Sequence, residues 1–549
     1  MSCPIDYRVS NEVSVNAGAK TFRRERNISL VLLGVLPLTL AAIAWLNSAG
    51  WLVFAVAGLA MAGILASFML FEWLAQRSFS SVQGAPPEHM PKFGLIGLIY
   101  QLLIRRKTSL RDMDLERRDT YGDVYLMFIG YRPAVVVTSS ALAKEIAKKT
   151  EIFEKSSPVE LNMPYFSKWV GSNNVVLANG DDWLRLRAIV HKELTSTEKY
   201  FPTICQKALA LNDNIDVEIG NSDAEELYLN RWLKAFSLDV AGETLFGYDF
   251  KHLKEIVNPA IQAMDLVIAE IFSPLRMAFP IVNKLPTATN RRLEASISYI
   301  DTLVNSMKAE FVRNASLGTT NLMKCLMEGH EANRLTDDEL RNNIITLVLS
   351  SYETTQVSLG GVLYHLAKYP RYQEEIRRES NKLFPNLRED ILGNAGSAYE
   401  RFHKFALLDS FILESLRLYS PLANQNARTA RANTQLGGFR IPAGTTIIIN
   451  IHSIHMSGAS WQDPDEFDPH RFDKGHRNDK DAFLAFGAGH RLCSGRNFSL
   501  LEQKVAVCCL LQNFNLSFPE ERYSVPLKRT SFTGLPDESF RLRFERLAV

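Results

Sequence analysis

Near its C-terminal end the chain reads Phe486-Gly-Ala-Gly489-His-Arg491-Leu-Cys493-Ser-Gly495, followed by an apolar, helix-like run over about 500–511. No other stretch limits the fold as strongly. A single cysteine stands in a loop thinned by glycines, two residues after an arginine. Backbone N–H groups, a helix N-terminus and a nearby cation each lower a thiol pKa, and this stretch offers all three. The expectation is a thiolate metal ligand. Gly489 and Gly495 omit the side chains that would keep the backbone from lying flat against a planar ligand, and Phe486 is placed to pack beneath one.

A second long-range constraint lies upstream. Thr336-Asp-Asp-Glu339 is a capping box that opens an apolar helix running to about residue 368. Thirty-odd residues at 1.5 Å each give roughly 45–50 Å, enough to cross a whole domain. Midway comes Ser350-Ser351-Tyr352-Glu353-Thr354-Thr355. Hydroxyls and an acid inside an apolar helix cost free energy unless they are satisfied or used. Hydroxyls that bond back to carbonyls can also open the helix locally.

Between and around these stretches, shorter patterns fall in order. Trp183-Leu-Arg185-Leu-Arg187 reads as helix, and Trp183 and Arg187, four apart, share one face. Glu414 and Arg417, three apart on a second helical stretch, can pair. Arg428 follows in an extended segment, and a strand over 446–450 comes after Ile441-Pro-Ala-Gly-Thr445. Pro469-His-Arg471-Phe472 closes the series. Alternating apolar residues over 124–137 around Gly130-Tyr-Arg-Pro133 predict a hairpin of a small sheet. The segment from about 201 to 317 reads as mostly helical, with Pro259, Pro274 and Pro280 as breaks.

The N-terminal end has a different character. Residues 1–27 are polar and finish in the basic cluster Lys20, Arg23, Arg24, Arg26. Uncharged runs over 28–46 and 51–71 follow, each long enough to cross a hydrocarbon core as a helix, with Trp45, Trp51 and Trp73 at their ends. The simplest topology is a helical hairpin that leaves both the tail and the large domain in the cytosol; one span plus an interfacial helix is the alternative. Residues 72–92 form a linker punctuated by Gly84, Pro86, Pro87 and Pro91. The six cysteines are scattered, without C-x-x-C or zinc spacing, which suits a reducing compartment. A net charge of +2 gives no case for nucleic-acid binding.

The cysteine stretch resembles the ligand loop of the cytochrome P450 family, F-x-x-G-x-x-x-C-x-G, at all four fixed positions. The capping-box helix resembles the family's oxygen-activation segment, usually A-G-x-[DE]-T-[TS], with Ser350 and Ser351 where alanine and glycine are usual. Glu414–Arg417 resembles its E-x-x-R motif, and the stretch ending Arg471-Phe472 its P-x-R-F-type motif. Trp183 and Arg187 match its W-x-x-x-R pair. The resemblance runs from about residue 82 to the C-terminus.

That resemblance implies a mainly α fold with small β-sheets over 93–549, preceded by the transmembrane helices. It implies haem b with Cys493 as the axial ligand of its iron and Phe486 against the macrocycle. Trp183, Arg187, Arg428 and Arg491 become propionate partners. Glu353 and Thr354 become the acid–alcohol pair that delivers protons during dioxygen activation. Glu414, Arg417 and Arg471 become a buried network holding the cysteine loop in register, and a loop over 531–537 would touch substrate. The implied activity is a monooxygenase reaction on a lipophilic substrate at the endoplasmic reticulum membrane, the catalytic domain facing the cytosol. Its electrons come from NADPH through NADPH–cytochrome P450 reductase, with cytochrome b5 as a further donor. Arg185, Lys192, Arg491 and Arg496 would give the cysteine side a positive face for that acidic partner. Two rivals stand beside this reading: a haem-thiolate isomerase or dehydratase, and a non-catalytic haem-binding protein.

Overall fold

The structure is a computed structural model that describes residues 110–129, 132–254, 258–273, 280–314, 320–473, 482–520 and 539–547, with the short strand Lys92–Phe93 and a few isolated positions besides. The expected membrane helices, most of the linker and the 531–537 loop lie outside the described residues. Among the described residues, no helix is long and apolar enough to cross a membrane. The architecture is mainly helical with small sheets, and the chain divides into two compact units.

The smaller unit combines Met1–Glu154 with Asn426–Ser453. Its six-stranded sheet runs, in spatial order, Lys92–Phe93, Val124–Ile129, Arg132–Val137, Thr446–Ile449, Arg428–Ala430 and Phe153–Lys155. The expected hairpin is there, antiparallel, with Val124 opposite Val137 and Ile129 opposite Arg132. Val135 and Val137 are fully buried, as β-branched side chains on a covered sheet face should be. Thr446–Ile449 lies parallel to Arg132–Val137, pairing a strand with one more than 300 positions upstream. A two-stranded ribbon, Thr434–Leu436 against Phe439–Ile441, turns through Gly437 and Gly438, both at positive φ.

The larger unit comprises Lys155–Gln425 and Ile454–Val549. Its axis is the helix Asp337–Lys368, 32 residues long. The capping box is present in both halves: Glu339 N–H bonds the Thr336 hydroxyl and Thr336 N–H bonds the Glu339 carboxylate. This helix is buried almost all round, with Ile344, Leu359, Val362, Leu363 and Leu366 fully covered. Burying one such side chain stabilises by about 1.5–3 kcal/mol. The helix Arg496–Asn513 also runs through the core, with Val505, Ala506, Val507 and Leu510 inaccessible. It begins earlier than its apolar run suggests, because Gly495 serves as N-cap directly behind the cysteine.

The helices Phe201–Ile219, Leu229–Ala241, Pro259–Ile271 and Ala288–Arg313 fill the stretch expected to be helical. Pro259 stands at the first turn of its helix, where no N–H is needed. The strand Ala224–Tyr228 interrupts the stretch and joins Arg541–Arg546 and Phe514–Ser517 in an antiparallel sheet. That strand is short and carries two glutamates, so its alternation is too weak to read from sequence.

Candidate haem site

The cysteine loop is closed by its own backbone. Cys493 N–H donates to Phe486 O at 2.9 Å, and Leu492 N–H donates to Gly489 O at 3.1 Å. Gly487 and Gly489 take φ of 78° and 64°, a region costly for any residue with a Cβ. Gly495 has an ordinary φ of −83°, and space does not require a glycine there. A Cβ there would lie 3.9 Å from the Cys493 sulfur. Sequence reasoning singled out Gly489 and missed Gly487.

The N–H groups of Gly495 and Arg496 point at the Cys493 sulfur and, with the charges of Arg187 and Arg496, pull its pKa down. Burial acts the other way and dominates, so the free thiol is held above its ordinary value. The loop's donors and charges therefore do not by themselves hold the free thiol below its ordinary value. Cys493 has solvent-facing surface, but the protein packed densely round its sulfur sets its electrostatics. A cation bonded to sulfur would supply what the loop lacks, since a coordinated thiol is deprotonated outright.

Trp183 and Arg187 lie on the helix Gly180–Thr195. Both reach the loop. Arg187 Nη2 donates to Leu492 O at 2.9 Å, and the Arg491 guanidinium stacks 4.1 Å above the Trp183 ring. Arg491 Nη2 also donates to Ala178 O at 2.6 Å and to Asn179 Oδ1 at 3.2 Å. Asn179 bonds the Lys155 backbone in both directions. Phe486 carries the Arg496 guanidinium 5.7 Å from its ring centre.

Among the described residues, no carboxylate pairs with Arg187, Arg428 or Arg496. Burial lowers the Arg187 pKa, and the partly opposing influence is Cys493. Arg496 Nε is buried without a hydrogen-bond partner among the described residues. In the smaller unit, Arg428 is 2% exposed; its Nη1 donates to Phe153 O at 2.9 Å, while its Nε has no partner among the described residues. Desolvation alone lowers its pKa to about 10. Buried arginines uncompensated by carboxylates are expensive, and acidic groups on a ligand would relieve them. The donor set of the larger unit therefore fits haem: a lone sulfur ligand, glycines without a Cβ beside it, and the desolvated guanidinium of Arg187 for a propionate.

Arg185 differs from its expectation. Nη2 pairs with Glu339 Oε1 at 2.6 Å and Asp182 Oδ1 at 2.7 Å. Its charge is spent on the capping box and does not add to an open positive face.

On the long helix, Glu353 is 4% exposed and accepts a bond from Gln356 Nε2 at 3.3 Å. The Thr354 hydroxyl donates to Ser350 O at 2.9 Å. Ser350 and Ser351 bond back in the same way, to Thr346 O and Leu347 O, both at 2.7 Å. The helix nevertheless remains continuous through 350–355: the serine and threonine hydroxyls are satisfied without opening it, while the Tyr352 hydroxyl is buried with no partner among the described residues.

The buried network assembles from three elements. Glu414 and Arg417, on the helix Leu407–Leu418, are both 0% exposed and bonded twice at 2.8 Å. Arg471 Nε reaches Glu414 Oε1 at 3.3 Å. His455 was given no role in the sequence reading, yet it carries this network to the cysteine loop. Its Nδ1 meets Arg417 O at 2.9 Å, its Nε2 accepts Leu484 N–H at 2.8 Å, and its ring stacks on Phe483 at 5.5 Å. A carbonyl only accepts, so the ring is the neutral Nδ1–H tautomer. No spacing in the sequence signals such a residue.

Comparison with known proteins agrees with this geometry. Residues 86–544 match the family model described as Cytochrome P450, and the chain belongs to that family. It is therefore a P450 monooxygenase and a haem protein. Similar proteins include cytochrome P450 3A41 of Mus musculus, 27% identical over 468 residues that cover 81% of this chain and 88% of that protein. Cytochrome P450 3A18 of Rattus norvegicus is 26% identical over 484 residues, 85% of this chain and 93% of its own length.

Proposed function

We propose that the chain is a membrane-anchored haem-thiolate monooxygenase that oxidises a lipophilic substrate with electrons from an external reductase. The observation that carries this reading is the Cys493 loop, with two amide N–H groups aimed at one sulfur beside desolvated, acid-free arginines. Cys493 would ligate the haem iron; Trp183, Arg187, Arg428 and Arg491 would hold the propionates of haem b, and Phe486 would pack against the ring. Bound haem supplies dioxygen activation, which a thiolate ligand favours by donating electron density. The residues do the rest. Glu353 and the Thr354 hydroxyl, which donates to Ser350 O at 2.9 Å, would form the acid–alcohol pair that relays protons to the site. Glu414, Arg417, Arg471 and His455 keep the loop in register.

The domain plan follows the sequence: tail 1–27, spans 28–46 and 51–71, linker 72–92, catalytic domain 93–549. An anchor of two apolar runs supports an endoplasmic reticulum location, a cytosolic catalytic face, a lipid-soluble substrate, and electrons from NADPH through a reductase or cytochrome b5. Carbon monoxide added to the reduced, haem-loaded protein should give the strongly red-shifted Soret band of thiolate ligation, and Cys493→Ser should abolish it. A wild-type protein without that band would overturn the proposal. Thr354→Ala should divert NADPH electrons to hydrogen peroxide; an isomerase or dehydratase would not respond.

A further inference from the structure

The two long core helices are joined by a polar bracket, buried at Ser358–Gln503 and part-buried at Ser499. Gln503, on the helix Arg496–Asn513, is 0% exposed. Its Oε1 accepts the Ser358 hydroxyl at 2.6 Å. Its Nε2 donates to Ser499 O at 3.1 Å and to Ser499 Oγ at 3.2 Å. Ser499 Oγ in turn lies 3.1 Å from Thr355 Oγ1. Thr355 and Ser358, on the facing helix, are 1% and 3% exposed. Ser499 N–H donates to Gly495 O at 2.9 Å, and the Gly495 amide faces the Cys493 sulfur.

The surroundings are apolar: Val357, Leu359, Val505 and Ala506 are buried close by in the chain. Apolar contact is non-directional, so two greasy helices can slide or rotate against each other at small cost. The Ser358–Gln503 bond, with both partners buried, cannot follow such a slip without orphaning a polar group, at about 1–3 kcal/mol, and the part-buried Ser499–Thr355 bond ties the same two helices at a second point. The bracket therefore fixes register. One of its ends is the residue next to Thr354, and the other leads in one backbone bond to the turn that faces Cys493.

We infer that Thr355, Ser358, Ser499 and Gln503 are positioning residues that lock the Glu353–Thr354 segment to the cysteine turn, so that a change on the sulfur side is felt on the side where dioxygen is activated. The inference rests on the haem-thiolate reading above.

The test uses carbon monoxide as probe on full-length, reduced, haem-loaded protein. Ser499→Ala and Thr355→Val are compared alone and together, with Thr355→Ser as the conservative control and haem content measured for each. The readouts are the iron–carbonyl stretching frequency, which responds to polar groups beside the probe, and peroxide released per NADPH oxidised with added reductase. Each single variant is expected to shift the stretch and raise peroxide several-fold at full haem content. The double variant should be no worse than the stronger single, and Thr355→Ser should behave as wild type. Unchanged stretches, or effects that simply add, would overturn the inference. Should Ser499→Ala lose haem, Thr355→Val and its serine control still decide the matter. A wild type without the red-shifted band would overturn the haem-thiolate reading instead, which separates the two failures.

Discussion

Arg417→Ala is expected to remove most of the stability of the larger unit. The guanidinium is 0% exposed and its five hydrogen bonds to oxygen span 2.7–3.0 Å. Two go to Glu414, at 2.8 Å each. Three go to backbone carbonyls: His455 O at 2.8 Å, Pro464 O at 2.7 Å and Glu466 O at 3.0 Å. Truncation leaves Glu414, also 0% exposed, with Arg471 at 3.3 Å and the Asp468 N–H at 2.9 Å as remaining partners. Removing one partner of a buried ion pair costs about 3–5 kcal/mol. Each stranded carbonyl adds about 1–3 kcal/mol before water enters the new cavity. These contributions share partners and do not add, so about 4–6 kcal/mol is a fair lower range. Domains of this kind are stable by about 5–15 kcal/mol. Arg417→Lys keeps the charge but replaces a planar fork by a point donor, and should fall between wild type and alanine. Glu414→Leu combined with Arg417→Met removes both charges and should cost less than Arg417→Ala alone. The assay is urea unfolding followed by far-ultraviolet circular dichroism, with haem content measured in parallel. A loss below about 1 kcal/mol for Arg417→Ala would refute the reasoning, because it would mean that Arg471 and the Asp468 N–H suffice to hold the buried Glu414 charge.

Further outcomes follow from the same geometry. Glu502 is 0% exposed, and burial holds its carboxyl well above the usual range against a weaker pull from Ser237. A raised folded-state pKa gives stability that is complete below the unfolded carboxylate value and lost as pH climbs through the folded one. Glu502→Gln should therefore flatten the alkaline side of a melting-temperature–pH profile; a parallel decline in both proteins would contradict this. Arg428→Ala should weaken haem retention about 10- to 100-fold, the scale of one charged hydrogen bond, as read by haem transfer to apomyoglobin. His455→Ala should leave overall helicity intact while the red-shifted carbonyl band converts faster to the form without thiolate ligation, measured at constant temperature. Thr336→Ala should cost about 0.5–2 kcal/mol through loss of the cap, more if Arg185 loses its hold on Glu339, as denaturant unfolding would report.

Sequence alone carried whatever depends on near neighbours along the chain. The Thr336–Glu339 box, the Glu414–Arg417 pair, the shared face of Trp183 and Arg187, the hairpin over 124–137 and the loop ending at Cys493 are all set by spacings of a few residues, where helix pitch and strand alternation leave one arrangement. Tertiary structure decided the rest. It put Arg491 over a tryptophan from a distant helix, spent Arg185 on Glu339, threaded His455 between Arg417 and Leu484, and faced Ser499 with Thr355. It also desolvated the Cys493 sulfur enough to push its thiol up, where the local signals point down. Desolvation and long-range hydrogen bonding depend on which distant segments arrive at the same place, and no local spacing encodes that meeting.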